Sequence, residues 1–414
     1  MNTKFIYIAG GVSSTITSSQ VVNWLDILLT NNIKFELVFT IRVIDIVKTS
    51  YRKNTFRLLN EIKRKQKVYL IPILRTKSNG LLFKTMVFFL LLRIRSFNKG
   101  KIIIQTRESK HFKVIGILKS LFNNISFIYE HRGVRAEEYI NSLGYESNLS
   151  IDNKIVEKKY QQMLSEFRAN CDVADRIINV STKMNKYVVD KSSNENIKKT
   201  FVISGAADVD LFYFSSNLRQ EKRKALNLNE DFVVLYTGRL DPTWQMKDFL
   251  FEFFFSFINS FKNAFVICLT PDIITANNLC KKFRINEDRI FIKQENNNKI
   301  NAYLNASDVA VIFRENIATN YYSSPTKLAE YLISGTPIIL SNNIGDYSDF
   351  INNNNLGIVV INNIDSILKR MKRIPEYNRA SNAELSKKHF SKQSQLEKYL
   401  RMYTELVQLH NESR

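Results

Sequence analysis

The sequence predicts an α/β protein built from two doubly wound parallel-sheet domains that face each other across a cleft. Three observations carry this expectation. The chain has 414 residues, more than one ordinary core accommodates, so two domains of roughly 200 residues are expected. Its residues are 44% apolar and 12% aromatic, enough to fill both domains. Short runs rich in Val, Ile and Phe alternate with helix-length segments, and the pattern occurs twice. Strands that are apolar throughout belong to a parallel sheet covered on both faces.

In the first half the strand-like runs are KFIYIAG, FELVFT, KVYLIPIL, KIIIQT and SFIYEHRG, followed by RIINVS and TFVISG. The second half repeats the design with FVVLYTGR, AFVICLT, RIFIKQ, VAVIFR, PIILSN and GIVVIN. FLFEFFFSFINSF reads as a core helix, although its excess of Phe would also suit an apolar partner. The tail QSQLEKYLRMYTELVQLH sets Leu396, Leu400, Tyr403 and Val407 at helical spacing and predicts a terminal packing helix. The expected organisation is an N-terminal domain over 1–205, a linker over 206–225, a C-terminal domain over 226–385 and a helix over 386–414 that can return to the N-terminal domain. In open α/β sheets ligands bind at the carboxyl ends of the strands, so the cleft is the expected site.

MNTKFIYIAGGVSSTITSS has the Lys4 and apolar run of a signal peptide, but the run is short, breaks at Gly10-Gly11 and lacks a small-x-small cleavage site. It reads as a buried first strand. In LLFKTMVFFLLLRIRSF the uninterrupted apolar part, Met86–Leu92, is far below the ~20 residues that span a bilayer. Cys171, Cys268 and Cys280 have no metal-ligand spacing and cannot all pair, which points to a reducing, cytoplasmic setting.

Charge is unevenly spread. Between Ile41 and Ser120 there are 20 Lys and Arg against three acids, a net of +17 out of the chain's +21. Such a segment attracts phosphates or an anionic leaflet, at about 1 kcal/mol per basic residue near that surface. Nucleic acid is the rival partner, but zinc-finger spacing, an RNP-type aromatic signature and a basic recognition helix are all missing from the sequence.

The stretch YYSSPTKLAEYLISGTPIILSNN, Tyr321–Asn343, is the most informative. A strand ends in VAVIFR, a helix is expected from about Pro325 to Ser334, and PIIL is the next strand. Proline suits the first helical position, and Ser324 before it is a good N-cap. The helix start then offers free N–H groups and about half a positive charge to a phosphate. Pro325, Leu328, Ala329, Leu332 and Ile333 form the expected buried stripe, which leaves Thr326 and Glu330 on the other side. A phosphate at the helix tip and a carboxylate acceptor one turn in fit a nucleotide diphosphate and its ribose. The alternative is that Glu330 only pairs with Lys327, worth a few tenths of a kcal/mol.

SSPTKLAEYLISGTPII resembles the donor-binding signature of the GT-B glycosyltransferases, glycosyltransferase family 4 in particular, in which a Glu-x7-Glu motif precedes a Gly-x-Pro turn. The resemblance puts Glu330 on the second glutamate and so on the donor ribose. The first glutamate falls on Tyr322, a departure that removes the family's side-chain contact to the donor sugar; the segment Ser323, Ser324, Thr326 and Lys327 would still meet the diphosphate. VLYTGRLDPTWQMKDFL is similar to the family's strand, Gly-Arg and Lys segment and places Gly238, Arg239 and Lys247 on the diphosphate, with a longer Arg-to-Lys spacing than usual. VISGAADVDLF resembles the interdomain segment. FIYEHRGVRAEEY resembles a strand end reading Asp-x-Arg-Gly, which puts Glu130, His131, Arg132 and Glu137 in the cleft. AGGVSSTITSS resembles a Gly-rich first loop and brings in Gly11.

The resemblance implies two Rossmann-like domains and a retaining, metal-independent transfer from a nucleotide diphosphate sugar. His131, Arg239 and Lys247 are the implied catalytic residues, and Glu130, Arg132 and Glu137 lie on the acceptor side. The Asp-x-Asp pair Asp208 and Asp210 sits in the linker, away from any strand end, so no metal is expected there. With the basic segment, the expected acceptor is a lipid-linked glycan at the inner membrane face, as in O-antigen, capsule or exopolysaccharide assembly. Three other readings share the sequence: a nucleotide-sugar epimerase of the same fold, an inactive glycan-binding scaffold, and a polyanion binder.

Overall fold

The computed structural model describes residues 3–10, 21–42, 49–73, 79–96, 100–107, 112–145, 153–228, 230–242, 244–374 and 377–412. Strands β1 (Lys4–Gly10), β2 (Phe35–Arg42), β3 (Val68–Ile73), β4 (Ile102–Thr106), β5 (Ile125–His131), β6 (Arg176–Asn179) and β7 (Thr200–Val202) form one sheet in the order β3-β2-β1-β4-β5-β6-β7. Every pairing in it is parallel. The described helices of this half are α1 (Asn23–Thr30), α2 (Thr49–Lys65), α3 (Asn79–Ser96), α4 (Phe112–Leu121), α5 (Arg135–Tyr145), α6 (Asn153–Val173) and α7 (Thr182–Lys191). All residues of β4 and β5 are buried, which is why their sequences show no alternation.

The second sheet contains β8 (Phe232–Thr237), β9 (Ala264–Leu269), β10 (Ile290–Lys293), β11 (Val309–Ile312), β12 (Ile338–Ser341) and β13 (Gly357–Val360) in the order β10-β9-β8-β11-β12-β13, again all parallel. Its helices are α8 (Ser216–Ala225), α9 (Lys247–Ser260), α10 (Ile273–Phe283), α11 (Asn297–Ala306), α12 (Ala318–Tyr321), α13 (Thr326–Ile333), α14 (Tyr347–Asn353), α15 (Ile364–Met371) and α16 (Arg379–Phe390). The Phe-rich segment is α9, and Phe251, Phe253, Phe254 and Phe257 are wholly buried, so it is core. In both sheets the first strand is central and the order reverses beside it, the Rossmann pattern.

The terminal helix α17 (Lys392–Glu412) leaves the second domain and packs on the first sheet. Leu396, Tyr399, Met402, Tyr403 and Leu406 share a buried cluster with Tyr7, Phe35 and Leu37. Asp208 is tied to this helix by a 2.8 Å ion pair with Lys392 and accepts from the Asp210 N–H, so it braces the chain between the domains.

The domains meet through loops that follow the carboxyl ends of strands in both sheets. The Gly205 N–H donates to Ser324 Oγ at 2.8 Å, and Tyr347 Oη donates to Gly205 O at 3.1 Å. Asp346 accepts from the Thr182 N–H and hydroxyl at 2.6 and 2.7 Å and from the Lys183 N–H at 3.2 Å, so it supplies negative charge at the start of α7. Ser181 Oγ donates to Tyr322 O, and Asn141 Nδ2 donates to Thr319 Oγ1. A Cβ on Gly205 would lie 2.5 Å from Ser324 O. Gly205→Ala therefore forces the two domains apart locally, and its expected cost is about 1–3 kcal/mol. A thermal midpoint equal to that of the wild type would show that the joint yields without strain.

Candidate functional site at the mouth of two sheets

Helix α13 starts one residue later than its sequence suggests, with Pro325 as the N-cap residue, and it has no side-chain cap. Ser324 does not cap it: it lies one residue ahead of the N-cap position, and its hydroxyl accepts from Gly205 of the other domain. The buried stripe is Leu328, Ala329, Tyr331, Leu332 and Ile333. Tyr331 replaces Pro325 in that stripe and anchors it, its hydroxyl 2.7 Å from Thr237 Oγ1 at the end of β8. Among the described residues, no hydrogen bond or ion pair uses the Glu330 carboxylate or the Lys327 ammonium, so the simple Lys327–Glu330 pair does not form. Glu330 is partly buried, and burial raises its carboxyl to about 7 against the pull of Lys327 and Lys392.

Gly238 follows β8 with φ +140°, a conformation that favours glycine. A Cβ there would lie 2.8 Å from Lys327 Cε, so the missing side chain is the space through which Lys327 passes. Arg239 is 65% exposed and turned toward acids, with Nη2 3.5 Å from Asp272 Oδ1 and 3.8 Å from Asp241 Oδ2. Asp272 also accepts from the Leu240 N–H at 2.7 Å, which fixes this turn. Lys247 is the first residue of α9 and has no partner among the described residues. Ser323 Oγ donates to Asn320 O at 2.8 Å and belongs to the turn ahead of α13. Thr326 opens the helix, with no cap bond at that end.

Sequence reasoning missed Arg314, two residues beyond β11. Burial lowers its pKa to about 10, and Nη1 donates to Asn320 Oδ1 at 3.3 Å while Nε is buried without a partner. Its position after a strand end in VAVIFR was the available signal.

On the N-terminal side the candidates divide between two faces. Glu130 is buried and accepts from Arg107 Nε at 2.7 Å, from Arg132 Nε at 3.2 Å and from Gln105. Burial opposes its ionisation, but Arg107 and Arg132 prevail and hold its carboxyl near about 2. Arg132 also donates to Tyr399 of α17 at 2.6 Å. Glu130 and Arg132, expected on the acceptor side, form a tie between β5 and the terminal helix. Glu137 accepts from Tyr160 at 2.9 Å and lies 3.7 Å from Lys191 Nζ.

His131, next along β5, faces the opposite side. It is 2% exposed, packed against Tyr129, Phe167 and Tyr187, with Nδ1 3.1 Å from Asn179 Oδ1. Asn179 Nδ2 donates to Asn185 Oδ1 at 2.7 Å, which leaves Asn179 Oδ1 to accept from the imidazole. Burial lowers the imidazole to about 4, so at neutral pH it is uncharged and serves as a hydrogen-bonding group rather than a proton carrier. Tyr322 of the second domain rests edge-on against Tyr187, with centroids 5.1 Å apart. Gly11 lies outside the described residues.

Residues 218–390 match the family model described as glycosyl transferases group 1. The chain is similar in structure to the glycosyltransferase from Rickettsia africae ESF-5, with TM-score 0.69, 15% identity, and 98% of this chain and 99% of that one covered. It is similar to sucrose-phosphate synthase from Thermosynechococcus elongatus, with TM-score 0.67, 15% identity, and 99% and 100% covered. It is also similar to Anabaena Alr3699/HepE in complex with UDP, with TM-score 0.69, 12% identity, and 98% and 100% covered. No curated protein matches the sequence. The fold is GT-B, and the group 1 domain makes the chain a glycosyltransferase.

Between about pH 4.5 and about 7 the folded chain holds a proton on Glu330 that the unfolded chain releases. The wild type should therefore lose stability relative to Glu330→Gln as pH rises through that window. Parallel melting curves of the two proteins across it would show that Glu330 titrates as an ordinary carboxylate.

Proposed function

We propose that the enzyme transfers a sugar, with retention and without a metal, from a nucleoside diphosphate sugar bound to the C-terminal domain to a glycan held by the N-terminal domain. The observation that carries this is Glu330, a carboxylate with no hydrogen-bond or ion-pair partner among the described residues, one turn inside a helix whose start has no side-chain cap. The carboxylate accepts both ribose hydroxyl protons, while the helix N–H groups, Lys327 and Lys247 face the diphosphate. Preorganised donors of this kind stabilise the charge that grows on the departing diphosphate, each worth about 2–4 kcal/mol of barrier. The bond from the anomeric carbon to the diphosphate oxygen breaks, the bond to the acceptor oxygen forms on the same face, and the acceptor proton leaves with the diphosphate.

A thermal-shift screen with UDP-, GDP-, ADP-, CMP- and TDP-sugars tests the donor. One of them should stabilise the wild type by a few degrees and Glu330→Ala by much less. No stabilisation of the wild type by any of them would sink the donor reading and favour the glycan-binding scaffold.

We further propose a lipid-linked glycan acceptor of surface polysaccharide assembly, met at an anionic membrane face. The support is the pairing of exposed apolar and basic residues on α3 and α4. Phe89, Ile117 and Leu121 are 61%, 53% and 59% exposed, beside exposed Arg93 and Lys113. No described helix is long and apolar enough to cross a membrane. Binding to phosphatidylglycerol vesicles should weaken with salt and fall about tenfold or more in Ile117→Asp/Leu121→Asp. Failure of the wild type to sediment with such vesicles at low salt would remove the membrane from the mechanism.

A further inference from the structure

Arg314 lies partly buried at the mouth of the second sheet, where Asn320 accepts a hydrogen bond from its Nη1. No carboxylate lies within ion-pair distance among the described residues, and the buried Nε has no acceptor. Lys327 is its neighbour: burial lowers that ammonium, Glu330 works against the shift, and Arg314 adds to it by repulsion. Two partly buried cations that repel each other destabilise a fold unless an anion joins them. Arg239, the arginine expected at this place, is instead turned out to Asp272 and Asp241.

We infer that Arg314, together with Lys327, is the inner binding group for the donor's diphosphate, and that its unpaired guanidinium is kept for that ligand. This rests on the donor reading above. Arg314 follows β11, Lys327 lies in the first turn of α13, and Gly238, just after β8, leaves the space that the Lys327 side chain occupies. A dianion there gains charge-assisted hydrogen bonds from both and removes their mutual repulsion. A nucleoside without phosphate gains neither. Arg314 thereby sets the preference for diphosphate over nucleoside, whereas Glu330 one turn further along α13 serves the ribose.

The experiment is calorimetric titration of UDP, GDP, ADP and dTDP, each beside its nucleoside, into the wild type, Arg314→Gln, Arg314→Lys and Glu330→Ala. For the diphosphate that binds the wild type, Arg314→Gln should lose about tenfold to a hundredfold in affinity while the nucleoside is little affected. Arg314→Lys, which keeps the charge, should recover part of the loss, and Glu330→Ala should weaken diphosphate and nucleoside together. Arg314→Gln should also melt no lower than the wild type without ligand, because it removes an uncompensated buried charge. Unchanged diphosphate affinity in Arg314→Gln, or an equal loss for diphosphate and nucleoside, overturns the assignment while the donor reading stands. Absence of binding to the wild type by all four diphosphates overturns the donor reading itself, and this inference with it.

Discussion

The hydrogen bond from Gly205 N–H to Ser324 Oγ is a small interaction on which the arrangement of the site depends. It crosses from the segment after β7 to the residue before α13, so the start of that helix is set by the other domain. A serine at the N-cap position would ordinarily satisfy an N–H of its own helix. Ser324 lies one residue ahead of that position and accepts from Gly205, and α13 starts without a side-chain cap. At the neighbouring joint the reverse holds. There Asp346 places a carboxylate at the start of α7, whereas the start of α13 has no side-chain cap.

Charge follows the same asymmetry. In the N-terminal domain the buried cations are matched, since Arg107 and Arg132 converge on Glu130 and link β5 to α17. In the C-terminal domain Lys327 and Arg314 have no carboxylate partner, and Glu330 has no cation within ion-pair distance among the described residues. Matched buried charge holds a fold in one arrangement, whereas unmatched buried charge costs stability and is retained where a ligand completes it. This contrast in charge pairing is the electrostatic support for the proposal that the donor binds on the C-terminal side.

The parts that the sequence made legible were those set by local chemistry. Strands buried on both faces are apolar without alternation, so β4, β5 and the strands of the second sheet could be read directly. The helix carrying Glu330 was found from Pro325 and the apolar spacing, within one residue at each end. The parts that were not legible depend on distant partners. Ser324 has the composition of a cap, but the helix starts one residue later and the Ser324 hydroxyl is engaged by Gly205, 119 residues away. Glu130 and His131 were grouped as one cleft-facing cluster. Adjacent strand residues point to opposite faces, and that alternation sends Glu130 to α17 and His131 to α6 and α7. Arg314 was missed because an arginine after a strand is unremarkable until its lack of a partner is seen.

Tyr322 shows how a departure from a family pattern can be read physically. A glutamate there would bring a second carboxylate to the joint, beside Tyr187 and within electrostatic reach of Asp190 and Glu137. Tyrosine instead places an aromatic ring against Tyr187, while its carbonyl accepts from Ser181 Oγ at 2.9 Å. Tyr187 in turn packs on His131, so an unbroken line of rings runs from the start of the donor helix to the buried imidazole. Such ring contacts carry no charge at neutral pH, which suits a joint more than a hydroxyl-binding group. At the position of the family's glutamate this chain has an aromatic contact between the domains, and with the Ser181 bond it ties the segment ahead of α13, the helix that carries Lys327 and Glu330, to the N-terminal domain.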